Sequence, residues 1–520
     1  MQVQLTADKW EQYGRIYVHG RCYQGTKPCA LSLLAQNLDS YDTAEQVAAF
    51  LQTQRGEFSV VINKPQLKCI AVSHTRLYPL FYRLYNGNWY VSDEPLNLLK
   101  EGDFISESAR QQYLYTGAPF AGNTLVASIK QCRPSSLTRF SEQAVTELSF
   151  SPFGKKSAVL AYNEAVGAFE SVLNTVFERV VKSIGNRQVV VPLSGGYDSR
   201  LVLAMLHKMG VKNLLCYTVG EHNPSEQGIA YLVAKTLQIP LHHIDYRNQQ
   251  YRMQQFNSPA FLHYVDSVGA MGNFMWLFEY NAILWLKQQG LLQDDAIFMP
   301  GHVGDFYAGS HVQKLGLKEN EPLSNVCRKL QLHAFEYATS YWDDAFKKEL
   351  RQNLQALSLG QPSYRVALQF IAENRLAHQI LNSARVYELL GYDVLLPLCD
   401  VDFVQFFDKL PFSLRADVSF YNDYLLQKVF LPLNIAFKKP LNAKNLQKQR
   451  FKNALKALLP RCVYGRFRQQ KSLTTEVYLL NDMFDEMAKK TGVRSMRSYI
   501  NGNELMLSWY LNRVQSQLNF

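Results

Sequence analysis

A chain of 520 residues is too long for one hydrophobic core, so its length implies two to four domains. With 47% hydrophobic and 19% charged residues, the composition is that of a globular soluble protein and excludes a disordered one; the long apolar run of a membrane helix is also absent. The net charge of +11 is concentrated between Lys438 and Arg497, which reads first as a solvated helical face and second as a surface for phosphates, nucleic acid or anionic membrane.

The opening Met1-Gln2-Val3-Gln4-Leu5 lacks the basic start and apolar run of a secretory signal, so a cytoplasmic protein is expected. Up to about residue 150 short alternating apolar runs dominate, such as Phe58-Ser59-Val60-Val61-Ile62 and Trp89-Tyr90-Val91, with Asn86-Gly87 marking a hairpin. Ser149-Phe150-Ser151-Pro152-Phe153-Gly154-Lys155-Lys156 reads as a joint, giving expected domains 1–150 and 157–520. Beyond it come a helix over 161–182, a β-branched strand over 188–193 and a helix over 200–209. A strand over 214–219, a helix over 226–237 and a strand over 242–246 follow. This alternation predicts a doubly wound parallel α/β sheet. The apolar stretch 274–286, interrupted by Glu279 and Asn281, reads as a core helix, and from about 367 the pattern is mostly helical. The eight cysteines form no C-x-x-C pair, which excludes a zinc ribbon or a thioredoxin-like motif and predicts reduced, mostly buried thiols.

The strongest chemical signal is Ser194-Gly195-Gly196-Tyr197-Asp198-Ser199-Arg200, between a predicted strand and a predicted helix. Paired glycines let the backbone approach an anion, the helix N-terminus supplies N–H donors, and Ser194 and Ser199 add hydroxyls. Asp198 is out of place beside phosphate unless it holds a magnesium ion that bridges the phosphate oxygens.

S-G-G-x-D-S resembles the PP-loop of the N-type ATP pyrophosphatases, and the surrounding sequence resembles asparagine synthetase B and its relatives, the β-lactam and carbapenam synthetases. Tyr217-Thr218-Val219-Gly220 is similar to the family's adenine-contacting strand end; Glu226, Ala230, Val233, Ala234, His242 and His243 follow its next helix and strand. Pro300-Gly301-His302-Val303-Gly304-Asp305-Phe306 resembles the second phosphate-side loop, S-G-E-G-A-D-E, which places Asp305 on its second magnesium carboxylate. Asp393-Val394-Leu395-Leu396-Pro397-Leu398-Cys399-Asp400 resembles E-x-R-x-P-F-L-D. The resemblance therefore implies ATP and Mg2+ as cofactors. It implies an ATP and phosphate site at Ser194, Gly195, Gly196, Asp198, Ser199, Thr218, Val219, Gly220 and Gly301, with Asp198 and Asp305 on the metal. His302 replaces the loop's Glu and is a candidate general base, Asp393 replaces the Glu that would support it, and Leu395 replaces an Arg. These changes point away from aspartate as the acceptor. Lys438 or Lys439, in a segment similar to L-P-x-x-I-x-x-R-x-K, is the expected lysine for the charge developing on pyrophosphate, with 459–471 a second fit.

In the first domain, Gly56-Glu57-Phe58-Ser59-Val60-Val61, Ser73-His74-Thr75-Arg76-Leu77-Tyr78-Pro79-Leu80 and Val91-Ser92-Asp93-Glu94 resemble segments of class II glutamine amidotransferases. The resemblance implies an N-terminal α+β sandwich of the Ntn type, joined to a doubly wound PP-loop domain with a helical C-terminal part. The family's nucleophile is a cysteine directly after the initiator Met; here Gln2 stands there and the first cysteine is Cys22, so no glutaminase is expected. The expected activity is adenylation of a carboxylate, release of pyrophosphate and acyl transfer to an amine or ammonia. The expected partners are a small-molecule carboxylate, an amine and an ammonia-supplying protein, without nucleic acid or membrane, and a homodimer is left open. The alternatives are a tRNA-modifying PP-loop enzyme and a nucleotide-binding pseudoenzyme.

Overall fold

The computed structural model describes residues 1–154, 160–219, 227–245, 258–274, 277–333, 344–358, 360–437 and 502–519. The N-terminal part folds into two stacked sheets. A six-stranded antiparallel sheet runs in the order Val145–Ser149, Ser136–Phe140, Lys68–Val72, Phe58–Asn63, Ile16–Gly20, Glu11–Tyr13. A four-stranded sheet runs Gln2–Gln4, Asn88–Ser92, Phe81–Tyr85, Lys130–Gln131, with only its first pair parallel. Side chains alternate by the strand period of two. Val60, Ile62, Cys69 and Ala71 face the helices Leu31–Asp39 and Ala44–Thr53, while Val61, Ile70 and Val72 face the second sheet. Both packed faces of the six-stranded sheet are therefore written into a few consecutive residues. The predicted hairpin closes at Asn86 and Gly87, whose φ values of 49° and 72° match a two-residue turn between right-twisted strands.

The second part is built on a five-stranded, wholly parallel sheet. Its order is Leu241–Ile244, Leu214–Val219, Val189–Pro192, Ile297–Phe298, Asp393–Val394. Val189, Val190 and Val191 are all fully buried, as a strand covered on both faces requires. In chain order this is 3-2-1-4-5, so the order reverses between Val189–Pro192 and Ile297–Phe298. Loops leaving the carboxyl ends of two strands that flank such a reversal diverge and leave a crevice. The helix Tyr162–Ile184 buries Ala165, Phe169, Leu173, Val176, Phe177, Val180 and Ile184 at three- and four-residue spacing. Phe169 stacks on Phe406 at 4.9 Å, tying this helix to Val401–Lys409. Each of these Phe, Leu, Val and Ile side chains contributes roughly 1.5–3 kcal/mol.

The two parts share a packed and charged seam. Tyr113, Tyr115, Phe120, Leu125, Val126 and Ile129 of the first part belong to the same buried core as the helices of the second. Arg179, 5% exposed, donates to Asp400 at 2.9 Å and Asp402 at 2.6 Å, and Arg55 donates to Asp402 at 2.8 Å. No described helix is long and apolar enough to cross a membrane. The basic stretch from Lys438 to Arg497 lies outside the described residues.

Candidate active site

The loop after Val189–Pro192 is held by its own hydroxyls. Ser194 N–H donates to Ser199 Oγ at 3.0 Å, and Gly196 N–H donates to Ser194 Oγ at 3.1 Å. The helix Tyr197–Lys208 starts directly on this loop, and its N-cap Gly196 offers no side-chain acceptor for the first-turn amides. Thr218 and Val219 end the neighbouring strand at the same edge of the sheet; Gly220 lies outside the described residues.

The loop after Ile297–Phe298 closes on this one across the reversal. Asp305 N–H donates to Asp198 Oδ2 at 2.9 Å, and the Gly304 amide also bonds the Asp198 carboxylate. Gly301 and Gly304 make the approach feasible. A Cβ on Gly301 would lie 2.5 Å from Ser199 Cα and 2.6 Å from Asp198 C, and one on Gly304 would lie 3.0 Å from Asp198 Cγ and 2.9 Å from Tyr421 Oη. Between them Val303 is held at φ 59°, a left-handed conformation that costs a β-branched residue about 1–3 kcal/mol. Strain of that size persists where the surrounding structure overrides it, here by pinning Gly301 and Gly304 to the first loop.

Asp198 and Asp305 thus meet at one point. Asp198 is half-buried and Asp305 exposed. Burial, and then the neighbouring Asp305 carboxylate, push the Asp198 carboxyl up to about 7, although bonds from Asp305 N–H and Tyr421 oppose the rise. A carboxylate whose ionisation is disfavoured by burial and by a neighbouring acidic group suits a divalent cation. An oxygen-only donor set with just two protein carboxylates would suit magnesium, which takes few protein ligands.

Sequence reasoning missed two supporting residues. Tyr421, 1% exposed, donates to Asp198 Oδ1 at 2.8 Å from a helix that begins after Val418, itself at φ 65°. No local signal marks it, because the two partners are 223 residues apart. Arg200 is the other, and its charge on the apolar run Leu201-Val202-Leu203-Ala204 was the available clue. Its buried guanidinium donates to the carbonyls of Gly195 at 3.1 Å, Ile435 at 3.2 Å and Phe437 at 3.0 Å. It therefore anchors beside the loop the strand of chain that leads to Lys438 and Lys439, which themselves lie outside the described residues.

His302 sits two residues before Gly304 with a buried Nδ1 that has no hydrogen-bond partner. Burial lowers its ring to about 4, so it is neutral at neutral pH. The structure does not bring Asp393 to it. Asp393 is the first residue of its strand, at the amino end of the sheet opposite the loops, and its carboxylate is bound by Arg21 and by Arg187 at 3.2 Å. The seam between the two parts claims this carboxylate, a use that the family motif does not reveal.

Residues 173–506, well over half of the chain, match the family described as Asparagine synthase. No curated protein sequence matches the chain. Among solved structures, glutamine phosphoribosylpyrophosphate amidotransferase from B. subtilis, complexed with ADP and GMP, is similar over 45% of this chain and 72% of that one. The identity is 9% and the TM-score 0.17, a likeness too weak to speak for any activity. With a parallel sheet whose phosphate-type loop and second acidic loop meet at the strand reversal, and with that family match, the chain belongs to the asparagine synthase family, whose members are ATP-dependent amide-forming ligases.

Proposed function

We propose that the chain activates a carboxylate by adenylation, releasing pyrophosphate, and passes the acyl group to an amine or to ammonia. The observation that carries this reading is the convergence of Asp198 and Asp305 from two adjacent strand ends beside the Ser194–Ser199 loop. In this reading the amides of Gly195 and Gly196 and the hydroxyls of Ser194 and Ser199 bind the phosphates. Thr218, Val219 and Gly220 flank the adenine, and Gly301 keeps the second loop against the first. Asp198 and Asp305 would hold magnesium, which supplies charge neutralisation of the phosphate oxygens when bound. Tyr421 and the Asp305 amide fix the Asp198 carboxylate, one at each oxygen, beside Asp305.

His302, neutral and with a free Nδ1, accepts the proton of the incoming amine; an anionic acyl-adenylate beside it raises its basicity from the value of the empty site. Lys438 or Lys439, delivered by the segment that Arg200 anchors, stabilises the charge on leaving pyrophosphate. Asp393 enters as a strut between the two parts rather than as a partner of His302. The first part is assigned no glutaminase. Its first cysteine, Cys22, is 1% exposed on a β-ribbon, so nitrogen comes from a substrate amine, free ammonia or a supplying protein. A cytoplasmic enzyme acting on small molecules follows from the same reading.

The test is the Mg2+ dependence of ATP-driven pyrophosphate release across a panel of carboxylates with ammonia and small amines. Asp198→Asn and Asp305→Asn should each abolish release and raise the Mg2+ requirement of any residue of it. Release that is indifferent to both substitutions would remove the proposed metal pair.

A further inference from the structure

Away from the phosphate-type loop, a short ribbon pairs Cys22–Gln24 with Lys27–Cys29 and sets Cys22 directly opposite Cys29. Opposed residues of an antiparallel pair carry their side chains on one face, with Cα atoms about 4.5 or 5.5 Å apart according to the pair type. Both spacings fall within the roughly 4.4–6.8 Å span that a disulfide bridges without backbone movement. The Cys22 thiol leans toward the partner strand, donating to the Cys29 carbonyl at 3.5 Å. Both thiols are free. Cys69 and Cys132, also near each other, lie in different cores on opposite faces of the six-stranded sheet, so this register is denied to them.

Access is unequal, and in a useful order. Cys22 is 1% exposed, whereas Cys29 is half-buried. Both line a cavity of about 520 Å³ between the two parts of the chain, whose wall also carries Lys9, His19, Lys182 and Arg187. Four lysines and arginines there face three carboxylates, two of which already pair with Lys9, Arg21 and Arg187, and the surplus of one positive charge favours an anionic visitor.

We propose that Cys22 and Cys29 are a redox-active dithiol, oxidised by an anionic low-molecular-weight disulfide that enters this cavity. The Cys29 thiolate attacks one sulfur of the small disulfide, whose S–S bond breaks and whose other half leaves with the Cys29 proton as a thiol. Cys22 then attacks the Cys29 sulfur, forming the intrachain disulfide, and the second small thiol departs with the Cys22 proton. Two protein thiols are oxidised and one small disulfide is reduced to two thiols. The ribbon is fastened to the helix Tyr162–Ile184, where Arg179 Nε donates to the Gly25 carbonyl at 2.7 Å and Ser183 Oγ to Tyr23 Oη at 3.1 Å. That helix leads into the strand that ends on the Ser194 loop, so the redox state bears on the element supporting it.

The full chain is incubated with oxidised glutathione, its remaining thiols counted and its peptides mapped. Two of the eight thiols should be lost, and the segment holding both cysteines should be lighter by two hydrogens and free of glutathione. Cys29→Ser, at the half-buried position and so the safer variant for folding, should abolish the loss of both. Cys22→Ser should trap glutathione on Cys29. The proposal is overturned if the wild type keeps all its thiols, if the same loss persists in Cys29→Ser, or if the wild type stops at a glutathione adduct on Cys29.

Discussion

Replacing Gly301 by Ala tests whether the two loops act as one packed unit. The added Cβ would lie 2.5 Å from Ser199 Cα and 2.6 Å from Asp198 C, both backbone atoms that no rotamer change can clear. Restoring ordinary contact requires the loops to part by about 1 Å, at an overpacking cost of roughly 1–3 kcal/mol. The Asp305 N–H to Asp198 bond, 2.9 Å long, would then exceed hydrogen-bonding range. A misplacement of about 1 Å at reacting groups costs on the order of a hundredfold in rate. Pyrophosphate release by Gly301→Ala should therefore fall about a hundredfold while the fold survives, as read by urea unfolding and circular dichroism. The control is Gly167→Ala, inside the helix Tyr162–Ile184 with nothing near the new methyl group. It should leave activity alone and stabilise the chain by about 0.5–1 kcal/mol. Gly301→Ala with activity within twofold of wild type would refute the reasoning, because the two loops would then not need their contact.

Tyr421→Phe deletes the 2.8 Å bond to Asp198 Oδ1, a bond to a carboxylate worth about 1.5–3 kcal/mol. Turnover should fall about tenfold to a hundredfold with a raised Mg2+ requirement, and an unchanged Mg2+ titration would separate Tyr421 from the metal site. His74 lies on the seam, where its Nε2 meets the Cys399 carbonyl. Burial lowers its ring to about 4, the hydrogen bond opposes this, and Arg55 adds to it. Because the folded value lies below the ordinary one of about 6.5, its stabilisation is complete above pH 6.5. It is lost as pH falls from there toward 4, up to roughly 3 kcal/mol in all. Urea unfolding at several pH values should show that slope, and His74→Gln should flatten it; identical slopes would dismiss the effect. Glu388 acts lower in the acid range. Burial would raise its carboxyl, but the His19 imidazole 3.4 Å away and then Lys9 outweigh that and hold it at about 2. Its stabilisation is therefore complete above about pH 4.5 and disappears as pH falls toward 2, and Glu388→Gln should remove that part of the acid transition.

The sheet was legible because its signals are local. The all-apolar run Val189-Val190-Val191, the Asn86-Gly87 turn and the two-residue alternation of Phe58–Asn63 each state their structure within a few residues. The loop of Ser194–Ser199 was legible for the same reason, since glycines, hydroxyls and a helix start stand together. Tyr421 and Arg200 were not read, because their roles consist of contacts across 223 and 235 residues that no periodicity encodes. Asp393 was placed beside His302 by its motif alone. In the fold, Arg21 and Arg187 reach it first, and an ion pair across the seam is a property of two distant segments.

The most direct measurement of the central claim is the identity of the nucleotide products. ATP, Mg2+ and an accepted carboxylate with ammonia or an amine, followed by phosphorus NMR, should yield AMP and pyrophosphate in equal amounts, with none formed by Asp198→Asn. ADP and inorganic phosphate, or product formation independent of Asp198, would contradict adenylation at this site.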